Sequence, residues 1–258
     1  MPQYTIYALK YAGPFSVYGG YLVWQWDMAT EEFERENWYL WCIRGSGETV
    51  VVDTGADPEL TQRRKRSPLF EDPAQVLARL GVDAASVEHV VLTHLHWDHA
   101  GGVALFPRAT FYVQEAEYRF WTGDPIAARP PFANLTDEVS LQYLAGLEGT
   151  ERLVLLDGDK EIRPGIECLL APGHTPGLQA VAVDTARGKA ILGSDCAHVF
   201  RNYQHDWPSA FTMDLAECLR SYDKLRTLVA SPDLVFPGHD VLMHDNYPRI
   251  AEGVTQLV

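Results

Sequence analysis

One segment limits this chain more than any bulk property: HVVLTHLHWDHAGG, residues 89–102. Its apolar, β-branched first half reads as a buried strand, and that strand ends by releasing His94, His96, Asp98 and His99 within six residues. On an extended chain residues i and i+2 point the same way, so His94 and His96 can grip one cation together, while Asp98 and His99, past the bend, can face a second. Without a cation, three imidazoles and a carboxylate at a strand end would repel or desolvate one another. Chance and packing are therefore poor accounts of the cluster. Gly101 and Gly102 are expected to turn the backbone tightly away.

The same device recurs downstream. His174 lies in APGHTPG after the run 166–170, Asp195 in GSD after 189–193, and His239 in FPGHD after 233–236. Loops at the ends of buried strands converge their side chains on one edge of a sheet. Further strand candidates are 49–53, 109–113, 152–156 and 178–183, and helical patterns alternate with them, which predicts a layered α/β domain. Asp72 is a plausible N-cap before Pro73, with Gly81 as the stop. A second helix is expected over 214–229, where Leu215, Cys218, Leu219, Tyr222, Leu225 and Leu228 share a face. Residues 122–150, with Pro125, Pro130 and Pro131, read as an insertion or lid over one face. Candidate ligands running from His94 to His239 favour one domain over 1–258, since neither half could hold them all.

Charge and targeting signals narrow the function further. Lys and Arg number 21 against 35 Asp and Glu, a formal −14 that argues against nucleic acid or an anionic membrane as partner. No run approaches the roughly 18 apolar residues of a membrane span, and the first residues lack a signal-peptide layout, so a cytoplasmic location is expected. The four cysteines form no C-x-x-C pair. The basic run Arg63–Arg66 reads as a solvated loop. Trp24, Trp26, Trp38, Trp41 and Trp121 read as core or sheet packing, with one or two lining a pocket.

V-D-T-G at 52–55, T-H-L-H-W-D-H-A-G-G at 93–102, P-G-H-T-P-G at 172–177, Asp195, and G-H at 238–239 together resemble the metallo-β-lactamase superfamily, and more narrowly its N-acyl homoserine lactonase group. The resemblance implies an αββα sandwich. It also implies two divalent metal ions, one on His94, His96 and His174 and the other on Asp98, His99 and His239, with Asp195 and a hydroxide bridging both. Asp53 would orient ligand imidazoles through a hydrogen bond, its alternative being a strand-end turn residue. Donors without thiolate suit zinc, but also iron, manganese or cobalt; the family weights the choice to zinc. Cys196 reads as a small core residue, the ligand set being complete without it.

The implied reaction is opening of an acyl homoserine lactone, hence quorum quenching, or of a related cyclic ester, by the bridging hydroxide. Asp98 or a bound water would shuttle the proton. A small-molecule lactone or ester is the expected partner, and a homodimer is left open. Homoserine lactonases commonly place a tyrosine three residues after the bridging Asp, where this chain has His198; the next tyrosine is Tyr203. His198 is a candidate donor or acid, or else a pocket wall. A glyoxalase II-like thioester hydrolase would share all seven ligands but needs cationic groups for the glutathione carboxylates, which residues 63–66 could supply only if they border the site. A nuclease would want a basic track, a flavodiiron enzyme has Glu where His96 stands, and Asp195 disfavours a drug-hydrolysing β-lactamase. A metal-containing signal-binding effector has no need of a nucleophilic hydroxide.

Overall fold

The structure is a computed structural model that describes residues 3–24, 33–63 and 70–258. Trp26 and, within the basic run, Arg64, Lys65 and Arg66 lie outside the described residues. The strands are β1 (Thr5–Tyr18), β2 (Phe33–Gly45), β3 (Glu48–Val52), β4 (His89–Val91), β5 (Thr110–Gln114), β6 (Leu153–Leu156), β7 (Lys160–Arg163), β8 (Ile166–Leu170), β9 (Gln179–Thr185), β10 (Gly188–Ser194), β11 (Val235–Pro237), β12 (Arg249–Ala251) and β13 (Val254–Gln256). They form two sheets, ordered β12-β13-β1-β2-β3-β4-β5-β6 and β11-β10-β9-β8-β7.

Alternation along β1 and β2 explains why the sheets stack. Ile6, Ala8, Tyr39, Trp41 and Ile43 point inward and meet Cys168, Val181, Val183, Leu192 and Phe236 of the smaller sheet in one buried cluster. The intervening Leu9, Tyr11, Leu40 and Cys42 point outward into a second cluster with Val76, Leu77, Tyr118, Trp121 and Leu144. Strands buried on both faces carry apolar residues at every position rather than alternating with polar ones. A third cluster joins Leu169, Ala180, Ala182 and Ile191 to Cys218, Tyr222 and Leu225 of the helix Leu215–Leu228. Helix, sheet, sheet, helix is the expected αββα order.

Helix ends follow the expected chemistry. The Asp72 carboxylate accepts from Ala74 N at 2.8 Å, Pro73 opens the helix Pro73–Ala78, and Gly81 takes φ +71° just beyond it. Asp214 caps the helix Leu215–Leu228 by accepting from Glu217 N at 3.0 Å.

Three findings depart from expectation. First, β1, β2, β7, β12 and β13 emerge from stretches without an assigned strand. Second, residues 122–150 carry the helices Pro130–Ala133 and Glu138–Ala145. They lie against the histidine segment, where Trp97 N donates to Leu135 O at 2.9 Å and Ser140 Oγ to Gly101 O at 3.0 Å. Third, Gly101 and Gly102 have φ of −65° and −93°, which any residue adopts. Close packing is what excludes a side chain there: a Cβ would run into Trp97 O at Gly101 and into Thr54 O at Gly102.

Direction matters most for the site. β3, β4, β5 and β6 run parallel. In the smaller sheet β8, β10 and β11 share one direction, because β8 and β10 are each antiparallel to β9 and β11 is parallel to β10. The loops after β3, β4, β8, β10 and β11 therefore open on one edge of the sandwich. No helix among the described residues is long and apolar enough to cross a membrane.

Candidate metal centre

Each of those five loops delivers part of one cluster. His94 and His96 follow β4, and His96 then caps the short helix Trp97–Ala100, which carries Asp98 and His99 on one turn. His174 follows β8, Asp195 follows β10 and His239 follows β11. All are buried except Asp98, whose side chain keeps 17% of its surface exposed. The donor atoms of His94, His96 and His174 lie within 4.8 Å of one another, as do those of Asp98, His99 and His239. Asp195 stands between the two groups: its Oδ2 is 3.4 Å from His174 Nε2, and its Oδ1 is 3.1 Å from His239 Nε2 and 3.4 Å from His99 Nε2.

Hydrogen bonds on the far side of the rings decide which nitrogens face inward. His99 Nδ1 donates to Asp53 Oδ2 at 2.8 Å and His239 Nδ1 to Asn37 O at 3.0 Å, so both rings turn Nε2 to the cluster. The Thr93 hydroxyl gives its one hydrogen to Asp53 Oδ2 at 2.8 Å, so at 3.1 Å from His94 Nδ1 it accepts, freeing His94 Nε2. Asp53 also receives Thr93 N at 2.7 Å. Asp53 and Ser194, at the ends of β3 and β10, hold φ of +61° and +45°, a left-handed conformation that non-glycine residues adopt only where the surroundings enforce it. Gly238 must lack a side chain, since a Cβ would collide with Asp195 Oδ1.

This donor set fits divalent cations. His94 Nε2 and Asp195 Oδ1 are buried and make no hydrogen bond, a loss of about 1–3 kcal/mol each unless something else meets them. His96 Nδ1 and His174 Nε2 stand 3.0 Å apart and His99 Nε2 and His239 Nε2 3.3 Å apart. Nitrogens about 2.0–2.1 Å from one tetrahedral zinc are themselves about 3.3 Å apart. Protonation of the metal-free site is split. Burial takes His96 and His174 down to about 3, and pushes His94 well below its ordinary value. At His99 and His239 burial acts the same way but is outweighed by Asp195 and its neighbouring carboxylates, which raise them to about 9 and about 10.

His198 is drawn into the same cluster. Its Nε2 lies 3.4 Å from Asp195 Oδ2 and its Nδ1 3.4 Å from Ser209 Oγ, while half-exposed Phe211 stacks on the ring at 5.5 Å. Tyr203 is remote from that task, packed edge-on against Tyr222 at 5.6 Å in the outer core. Cys196 is buried beside Cys218 in that core. Among the tryptophans, Trp38 and Trp41 are core residues and Trp121 sits edge-on to His96 at 5.4 Å. Sequence reasoning missed Thr93, Asn37 and Glu117. Thr93 could have been read from its place beside His94, whereas Asn37 acts through a backbone carbonyl and carries no side-chain signal.

The profile of the Metallo-beta-lactamase superfamily matches residues 34–239. An N-acyl homoserine lactonase of Bacillus cereus is 30% identical over 223 residues, covering 78% of this chain and 81% of its own length. A second, from Bacillus sp, is 32% identical over 171 residues, 64% of this chain; the match spans 61% of that relative, less than two thirds of its length. The solved structure described as a quorum-quenching N-acyl homoserine lactone lactonase superposes with a TM-score of 0.77 at 20% identity, covering 95% of this chain and 96% of its own. That likeness speaks for the fold.

Proposed function

Because the chain belongs to the metallo-beta-lactamase superfamily, we propose that it is a two-cation hydrolase that opens a lactone ring, an acyl homoserine lactone or a related cyclic ester. The observation that carries this reading is the pair of donor triads, buried but for Asp98, with Asp195 between them. His94, His96 and His174 would hold one cation, Asp98, His99 and His239 the other, and Asp195 both. Bound there, two divalent cations lower the pKa of a shared water toward neutrality and polarise the carbonyl it attacks. Donors limited to imidazole and carboxylate suit zinc, with iron, manganese and cobalt as alternatives for metal analysis to separate.

The chain's own groups supply the rest. Asp53 and the Asn37 carbonyl lock the His99 and His239 rings, so the site is organised before substrate arrives. Asp98 is the one ligand carboxylate with solvent access, which suits it to take the proton of the attacking water and return it to the leaving alkoxide. Burial takes His198 down to about 3; it is thus a neutral imidazole whose N–H serves as a hydrogen-bond donor to the substrate carbonyl or leaving oxygen. The substrate class draws support from the two bacterial relatives, both named N-acyl homoserine lactonases. Four free, buried cysteines support a reducing, cytoplasmic setting.

Acid release from a panel of lactones, linear esters and thioesters tests the reading on fully metallated protein. Lactones are expected to turn over fastest. Faster thioester cleavage would move the assignment to the glyoxalase II-like alternative, and no hydrolysis of any member would remove the enzyme reading altogether.

A further inference from the structure

The triad His94, His96 and His174 is assembled from both sheets, and one side chain ties its two loops together. Glu117, in the helix Glu115–Gly123, has no exposed surface. Its Oε1 accepts from Leu95 N at 2.9 Å, between His94 and His96, and from Trp121 Nε1 at 2.7 Å. Its Oε2 accepts from Gly177 N at 3.0 Å, three residues beyond His174. A Cβ on Gly177 would collide with the Glu117 backbone, so the helix start and the His174 loop touch directly. Trp121, held by the same carboxylate, walls His96. A carboxylate accepts at both oxygens and donates at neither, which is what three converging N–H groups require.

We infer that Glu117 is the positioning residue that sets the separation of the His94/His96 loop from the His174 loop, and through it the cation affinity of that half of the centre. The inference rests on the two-cation reading. It assigns Glu117 no contact with substrate or cation. Glu117→Gln keeps shape and size but replaces one oxygen by an NH₂ that faces an N–H, cutting one of the loop links.

Cobalt titration of the full chain, followed in the visible spectrum, tests this alongside amide hydrogen exchange of the metal-free protein. Wild type is expected to take up about two Co(II) per chain. In E117Q one site is expected to weaken 10–100-fold, the range for residues that orient metal ligands, with a changed spectrum for that cobalt alone. The amide that loses its acceptor, Leu95 or Gly177, is expected to exchange at least tenfold faster without metal. Unchanged affinity and spectrum at both sites in E117Q would overturn the role of Glu117 and leave the two-cation reading standing; wild-type protein that takes up no cobalt would overturn both. If E117Q does not fold, Glu117→Asp carries the test: its carboxylate is one methylene too short to reach both loops, and wild-type affinity in that variant overturns the inference.

Discussion

His99 and His198 show how differently two buried imidazoles on one carboxylate are held. His99 has a dedicated partner behind it, Asp53 at 2.8 Å, and its inward nitrogen is committed to the cluster. His198 has only the Ser209 hydroxyl at 3.4 Å behind it and a half-exposed phenylalanine over its face. That looser hold fits a group that must serve incoming substrate rather than a resident cation. His198→Ala is therefore expected to lower lactone kcat about 100-fold, the cost of one transition-state donor, with metal content unchanged. His198→Tyr, which restores a donor at that position, is expected to recover most of the loss. Steady-state kinetics with metal analysis on both variants checks this, and unchanged rates in both would make His198 a wall residue.

Elements became legible in proportion to how much of their pattern is local. The run 166–170 coincides with β8, and the helix Leu215–Leu228 lies within its expected span, because periodicity and caps are written in consecutive residues. β1 and β2 are interrupted patterns: Gly13 and Pro14 punctuate the first, which shifts register against its partner around Lys10, Ala12 and Phe15. β7 is a short, largely exposed strand whose KEIR sequence carries no apolar alternation. The clustering of the histidines was legible because metal binding demands residue types that are otherwise rare together. Glu117 was not, since a glutamate in the first turn of a helix ordinarily faces solvent, and only the tertiary arrangement buries it. The helix Leu215–Leu228 covers the smaller sheet through Cys218, Tyr222 and Leu225. Leu225→Ala is expected to cost about 2–5 kcal/mol by cavity formation, read from the urea midpoint at constant m, with metal stoichiometry of the folded fraction unchanged.

At the scale of the molecule the centre is a proton store as well as a candidate cation site. With values of about 9 and about 10, His99 and His239 carry protons at pH 7 when no metal is bound. Their folded values lie above the unfolded imidazole's, near 6.5. They contribute stability that is complete below about pH 6.5 and is lost as the pH rises through their folded values. His96, His174 and His198, at about 3, have the opposite sign: their contribution is present above about pH 6.5 and fades as the pH falls toward 3. Cation uptake at pH 7 must displace the protons of His99 and His239, so at least two are expected to appear per chain filled. Acidification of a weakly buffered solution during titration of stripped protein measures this, and uptake without acid release would contradict the split protonation of the site.

Five strand-end loops from two sheets meet at this edge, and the consequence is kinetic. His96 and His174 are 78 residues apart in sequence, and His99 and His239 are 140. No folding intermediate with one sheet formed can present a complete triad, and closing loops of this length costs entropy that only docking of the sheets recovers. The centre is thus a latecomer in folding, and the proposed cations would act as a latch that slows unfolding without guiding the chain toward its fold.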